Sequence, residues 1–255
     1  MLRKILLAIS LLSGAAAYGN ISLSPYYLEL GDTAGRTGQV RFTNNSQSEK
    51  TYNITMVNFK QSSDGRYSEI SEPIAGNPFA GPYLEWSPHQ ATLQPGQSQV
   101  VRVRRRGMAA APAGEYVSHM LIRELPGPSD VYGTSDGKKG GLVINLKPLY
   151  GVSIPVMIVH GELNSSAQID NARVIKRDGR PVAVVTISRA GSRSFFGSVV
   201  VKDGRREIGK ISNFRIFMTT PSRVLDIPLT QMPAGDASVT LIDESTNETL
   251  ETKSI

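Results

Sequence analysis

Cysteine is absent from the 255 residues, histidine occurs three times and tryptophan once. Without cysteine the chain can form no disulfide, no thiolate zinc or iron–sulfur site and no cysteine nucleophile. His89, His119 and His160 lie far apart, and none stands in the H-E-x-x-H spacing that puts two imidazoles on one helix face. Long apolar runs are lacking too. The run from Ile5 to Leu12 is less than half of the roughly 20 residues that a spanning helix needs. Helical periodicity is scarce throughout.

What is present describes a globular chain: 40% hydrophobic and 20% charged residues, with 24 Gly and 15 Pro as turn formers. Arg3 and Lys4 precede the short apolar run, and Ala15 and Ala17 supply a small-residue end. That is the pattern of a secretory signal over residues 1–17, expected to be cleaved after Ala17 and to leave a soluble, exported protein. Removing Arg3 and Lys4 from 28 cations leaves 26 against 22 anions, a mature net charge of +4. This mild excess steers anions weakly and does not indicate nucleic acid.

Two segments imitate binding motifs and fail on inspection. In Gly133-Thr134-Ser135-Asp136-Gly137-Lys138-Lys139, three residues separate the glycines where a phosphate loop has four, and Lys139 replaces the metal-binding hydroxyl. The cluster Arg102, Arg104, Arg105 and Arg106 ends a strand-like run, where successive side chains alternate faces and cannot share one patch. It reads as a solvated face.

Short β-branched or alternating runs between turn residues recur along the chain, the pattern of an all-β protein. In the first half they are Ile21–Leu30, Gln39–Asn44, Thr51–Lys60, Leu84–Ser87, Gln97–Arg105, Glu115–Arg123 and Gly141–Tyr150. Seven strands suffice for an immunoglobulin-like sandwich. After the run Val152–His160 come Gln168–Lys176, Pro181–Ser188, Ser198–Val201, Glu207–Arg215, Arg223–Leu229, Ala237–Asp243 and Glu248–Ser254. The expected division is residues 18–160 and 161–255. Asp178-Gly179 and Asp203-Gly204 predict tight hairpin turns.

Four segments, taken in order, resemble the PapD-like periplasmic chaperones of the chaperone–usher pathway. They are Ile21-Ser22-Leu23-Ser24-Pro25; Leu93 to Val103 with its Pro95-Gly96 turn; Glu115 to Pro126 with its Arg123-Glu124-Leu125-Pro126 ending; and Leu142 to Leu146 leading to Tyr150 through Val156. The set covers most of the first half, and the second half matches only in architecture. The resemblance implies two immunoglobulin-like β-sandwich domains joined at an angle around an interdomain cleft. It also implies a non-enzymatic, cofactor-free protein that binds pilus or fimbrial subunits and delivers them to an outer-membrane usher from the periplasm. No metal, nucleic-acid or membrane-spanning role goes with it.

In such chaperones a strand of the first domain completes the subunit's fold, with alternate side chains filling an open groove. Leu142, Ile144 and Leu146 have the i, i+2, i+4 spacing for that task, although any sandwich strand alternates and these three could pack in their own core. The family's carboxylate-anchoring basic pair is not reproduced: Tyr27 and Tyr150 stand at the matching positions, leaving Lys147 or Arg123 as candidate anchors. Glu115 matches an acidic interdomain residue, and Ile154 replaces the arginine expected before Pro155. Two other classes compete: an exported two-sandwich adhesion or ligand-binding module, and an exported hydrolase with a dispersed site.

Overall fold

The computed structural model describes residues 20–32, 34–127 and 148–255. Its first eleven strands are β1 (Ile21–Ser24), β2 (Leu28–Gly31), β3 (Thr37–Asn44), β4 (Lys50–Val57), β5 (Phe59–Gln61), β6 (Tyr67–Glu69), β7 (Leu84–Ser87), β8 (Gln90–Leu93), β9 (Ser98–Arg105), β10 (Gly114–Glu124) and β11 (Gly151–His160). Seven more follow: β12 (Ser165–Arg177), β13 (Arg180–Gly191), β14 (Phe195–Asp203), β15 (Arg206–Ile216), β16 (Ser222–Pro228), β17 (Ala237–Asp243) and β18 (Glu248–Ser254). The only helical elements among the described residues are two three-residue 3₁₀ turns. The protein is all-β.

Two sheets face each other in the first sandwich, in strand orders β1-β3-β9-β7 and β2-β11-β10-β4-β8. Between them lies a core built on Phe42, Tyr52, Ile54, Val101, Met120, Ile122 and Ile158. Phe42 and Tyr52 meet edge to face at 5.4 Å, the geometry their ring quadrupoles favour. Sheets β12-β13-β16 and β15-β14-β17-β18 form the second sandwich around Ile187, Phe195, Val199, Ile227 and Leu241. With no disulfide in the chain, each core holds by packing, since burying one large aliphatic or aromatic side chain is worth roughly 1.5–3 kcal/mol.

Two expected runs divide and one hairpin turn shifts, besides strand ends that move by a few residues. The run Ile21–Leu30 is not one strand. It breaks at Pro25, which offers no N–H to a ladder. β1 pairs with β3 in one sheet, and β2 runs parallel to β11 in the other, so this short segment ties both sheets together. The run Thr51–Lys60 also divides, at Asn58. There the Ser118 hydroxyl donates to the Asn58 carboxamide at 2.7 Å, and the chain leaves the sheet as the separate hairpin β5–β6. The turn Asp178-Gly179 sits as expected, both residues having positive φ, but in the next hairpin Asp203 still pairs with Arg206 and the two-residue turn is Gly204-Arg205.

Most of the expected strand Gly141–Tyr150, with Leu142, Ile144, Leu146 and Lys147, lies outside the described residues. The described part, 148–150, is not strand, although the Tyr150 carbonyl accepts the Glu124 N–H at 2.8 Å where β11 begins beside β10. The arginine cluster alternates as expected. Arg104 and Arg106 are exposed and share Glu85, whereas Arg105 is buried and donates to Asp32 at 2.9 Å.

Candidate functional site: the seam between the sandwiches

Strand β10 is buried along almost its whole length, and its two faces do different work. Tyr116, Met120 and Ile122 point into the first core. Glu115, Val117 and His119 occupy the opposite face, and there they meet residues of the second sandwich. Val117 packs with Met157 and Phe217 in a small cluster of its own. Glu115 accepts hydrogen bonds from both the backbone N–H (2.7 Å) and the hydroxyl of Ser194. Burial pushes the Glu115 carboxyl up, and the Ser194 donors together with Arg193 and Arg215 pull against that.

The hairpin β5–β6 closes one side of this seam. Gln61 is buried and satisfied almost entirely from across it: its carboxamide accepts the Phe217 N–H at 3.2 Å and donates to the Arg215 carbonyl at 3.3 Å. The Val224 N–H donates to the Ser63 carbonyl at 2.7 Å. In the hairpin turn, Gly65 has φ +84, and a Cβ there would lie 2.2 Å from the Arg223 guanidinium. The backbone conformation favours glycine at this position, and a side chain there would displace the Arg223 guanidinium.

Beside the seam lies a cleft of about 530 Å³ lined by Tyr27, Tyr67, Phe196, Phe214, Arg215 and Arg223, among others. Phe196 and Arg215 are cross-strand partners on β14 and β15. The rings of Tyr27 and Phe196 are 5.8 Å apart and tilted by 55°, and the Arg215 guanidinium carbon sits in their V, 4.2 Å from each centroid. Such cation–aromatic contacts are worth about 0.5–2 kcal/mol. Arg215 forms no salt bridge among the described residues. Its one side-chain bond goes to the Met157 sulfur at 3.9 Å, and burial pushes its guanidinium down. Arg223 donates to the Arg215 carbonyl at 3.1 Å and leaves its Nε without a partner. Arg193, by contrast, is paired with Glu29 at 2.9 Å. The cleft therefore offers two cations against an aromatic wall, a setting suited to a carboxylate carried next to apolar or aromatic groups.

A bulge creates this arrangement. The core-facing residues of β15 are Ile208, Ile211, Phe214 and Ile216, spaced three, three and two apart. The register slips between Gly197 and Val199 on β14, and Asn213 on β15 takes a positive φ of 59°. The extra residue keeps Phe214 inside and turns Arg215 to the cleft.

Of the residues singled out from the sequence, Glu115 lies in the seam. Arg123 is exposed near the other end of β10, opposite Gly151 and Asn53. Tyr27 and Pro155 line the cleft. Sequence reasoning did not find Arg215, Arg223, Phe196 or Gln61. The expected strand Glu207–Arg215 contained Arg215, but without the bulge its alternation gives no reason to set Arg215 apart.

No family model matches the chain, and no curated protein matches it by sequence. Solved structures with a similar course of the chain include fimbrial chaperones and chains of chaperone–subunit complexes. A chain from the CsuC–CsuE chaperone–tip adhesion subunit pre-assembly complex, from the archaic chaperone–usher Csu pili of Acinetobacter baumannii, has 15% identity and a TM-score of 0.48, with 92% of this chain and 97% of that one covered. A chain from a chaperone–tip adhesin complex of CFA/I fimbriae biogenesis has 14% identity and a TM-score of 0.47, covering 92% and 98%. The E. coli chaperone DraB has 14% identity and a TM-score of 0.41, covering 92% and 97%. Likeness at this level assigns no role to any residue here. Among the described residues, no helix is long and apolar enough to cross a membrane.

Proposed function

We propose that this chain is an exported, non-enzymatic chaperone with two domains, residues 18–160 and 161–255, after a cleaved signal. It captures pilus or fimbrial subunits in the periplasm and passes them to an outer-membrane usher. The observation that carries the reading is Arg215, held in the V of Tyr27 and Phe196 at the seam with no carboxylate partner among the described residues. A cation fixed beside an aromatic wall is the recognition element that a chain-terminal carboxylate with an apolar neighbour requires. Arg215 and Arg223 join Lys147 and Arg123 as candidate anchors.

The donor residues in this reading are Leu142, Ile144 and Leu146. Their segment leads directly to Tyr150, whose carbonyl accepts the Glu124 N–H at the end of β10. A subunit strand laid there gains backbone hydrogen bonds, and alternate side chains of the donor fill its groove. Covering that groove prevents the edge-to-edge association that exposed strands undergo.

Co-expression with candidate subunits from the same gene neighbourhood, followed by purification, is expected to yield a one-to-one complex. Charged replacements at Leu142, Ile144 and Leu146 abolish capture while thermal unfolding stays unchanged. Arg215→Ala weakens binding of a subunit with a free carboxyl end by roughly tenfold or more and leaves binding of its amidated form unaffected. Lys147→Ala and Arg123→Ala are run beside it. Capture indifferent to the three apolar positions defeats the donor-strand assignment, and equal affinity for free and amidated ends defeats the anchor.

A further inference from the structure

The seam contains one titratable side chain that no polar neighbour satisfies. His119 is 4% exposed, and neither ring nitrogen has a hydrogen-bond partner among the described residues. Aromatic rings enclose it: Phe59 at 5.0 Å, Tyr67 at 5.8 Å and Phe217 at 5.8 Å between centroids. Phe59 and Tyr67 belong to the β5–β6 hairpin, and Phe217 follows β15 in the second sandwich. The enclosure exists only while hairpin, second sandwich and β10 are together.

A neutral imidazole fits there as one ring among four. An imidazolium has two N–H donors to satisfy and finds no acceptor, so its desolvation goes uncompensated. The surrounding charges do not help. Arg215 on β15 and Arg223 on β16 both lie close enough to Tyr67 to influence its phenol, and Tyr67 itself takes a hydrogen bond from Gln61 at 3.1 Å. On β10, Glu115 is already held by Ser194. Residues paired with His119 in the sheet are Val57 on β4 and Pro155 on β11, neither charged, and Lys60 and Glu69 on the hairpin are exposed.

We infer that His119 is an acid-sensitive latch: neutral, it seats the hairpin and the second sandwich against β10, and protonated, it drives them apart. Burial pushes its imidazole down to about 4 from the ordinary 6.5. The depressed value means that the latch holds fully above pH 6.5 and is lost progressively as the pH falls toward 4. Glu115 opposes it, because a carboxyl raised by burial favours the closed seam as it takes up a proton. The informative quantity is therefore the difference between the native chain and a variant without the imidazole. The inference rests on the seam alone and stands or falls independently of subunit capture.

Two measurements test it. Histidine-ring NMR on the unmodified protein is expected to show one imidazole titrating near 4, assigned by its absence in His119→Phe. Amide protection at Gln61 and Phe217, whose N–H groups bond across the seam, reports opening directly. Between pH 7.5 and 4.5, protection at these two amides should fall roughly 70-fold more in the native protein than in His119→Phe, with core amides such as Val199 unchanged. A His119 ring titrating at or above 6.5 overturns the latch. So do identical pH profiles for the two proteins. The ring titration needs no variant beyond assignment, so the inference remains decidable if His119→Phe does not fold.

Discussion

Ser194 gives both of its donors, the backbone N–H at 2.7 Å and the hydroxyl, to the carboxylate of Glu115, a residue 79 positions earlier in the chain. This pair joins the start of β10 to the strand entry of β14, and both residues are buried. Ser194→Ala removes one donor from a buried acceptor and should cost about 1–3 kcal/mol, read as a lowered denaturation midpoint. Glu115→Gln separates charge from contact. Because burial raises the Glu115 carboxyl, its contribution is fully present below the ordinary value near 4.5 and is lost as the pH rises through the raised one. The native protein should therefore lose stability relative to Glu115→Gln as the pH climbs from 4.5 toward neutrality. Parallel stability–pH curves would contradict this.

Gln61 is the corresponding element on the hairpin side. Its carboxamide satisfies the buried Phe217 N–H and the Arg215 carbonyl together. Gln61→Ala leaves both without it and is expected to destabilise by about 1–3 kcal/mol. Proteolysis under native conditions should then cut first within the β5–β6 turn. Unchanged protease resistance would show that the hairpin is held by its rings alone.

Far from the seam, Lys50 pairs with Glu124, whose side chain is only 2% exposed. Truncating Lys50 to Met removes the cation and strands a buried carboxylate, a change that costs about 3–5 kcal/mol when one partner of a buried pair is lost. Nearby Tyr52, whose phenol is pushed up to about 12 by burial and then by the Glu124 charge, gives an independent readout. The double variant Lys50→Met with Glu124→Leu should recover much of the loss. A single variant as stable as the parent would mean that Glu124 reaches solvent.

Arg215→Lys tests the cleft by shape. Lysine keeps the charge but not the planar group that fills the V of Tyr27 and Phe196. A loss of about 0.5–2 kcal/mol is expected in thermal or denaturant unfolding, with Arg215→Ala losing at least as much. Equal stability of all three would remove the stacking contribution.

Much of the fold was legible in the sequence, because strands with one face on a core alternate visibly: Leu84–Ser87, Ala237–Asp243 and Glu248–Ser254 begin and end where the residues predict. The site was less so, for identifiable reasons. β10 is covered on both faces, so the polar residues Glu115 and His119 sit at buried positions and give no sign of which face meets a second sandwich. On β15 the three-three-two spacing matches neither a strand nor a helix, which hid Arg215. The partnership of Gln61 with Phe217 spans 156 positions and depends on how two sandwiches meet, a relationship that local pattern does not encode.

The bulge at Asn213 makes the chemistry of the cleft a matter of counting. Strict alternation from Ile211 would put Phe214 outside and Arg215 inside, and the extra residue between Ile211 and Phe214 reverses that. Deleting Ser212 would remove the extra residue and leave Phe214 facing the core by plain alternation from Ile211, with Arg215 still on the cleft side. Deleting Ser212 and Asn213 together would instead exchange the pair, sending a guanidinium toward Phe195 and Val199 and a phenyl ring into the cleft. Lineages that keep a cationic cleft should therefore tolerate the loss of one residue between Ile211 and Phe214 and not the loss of two.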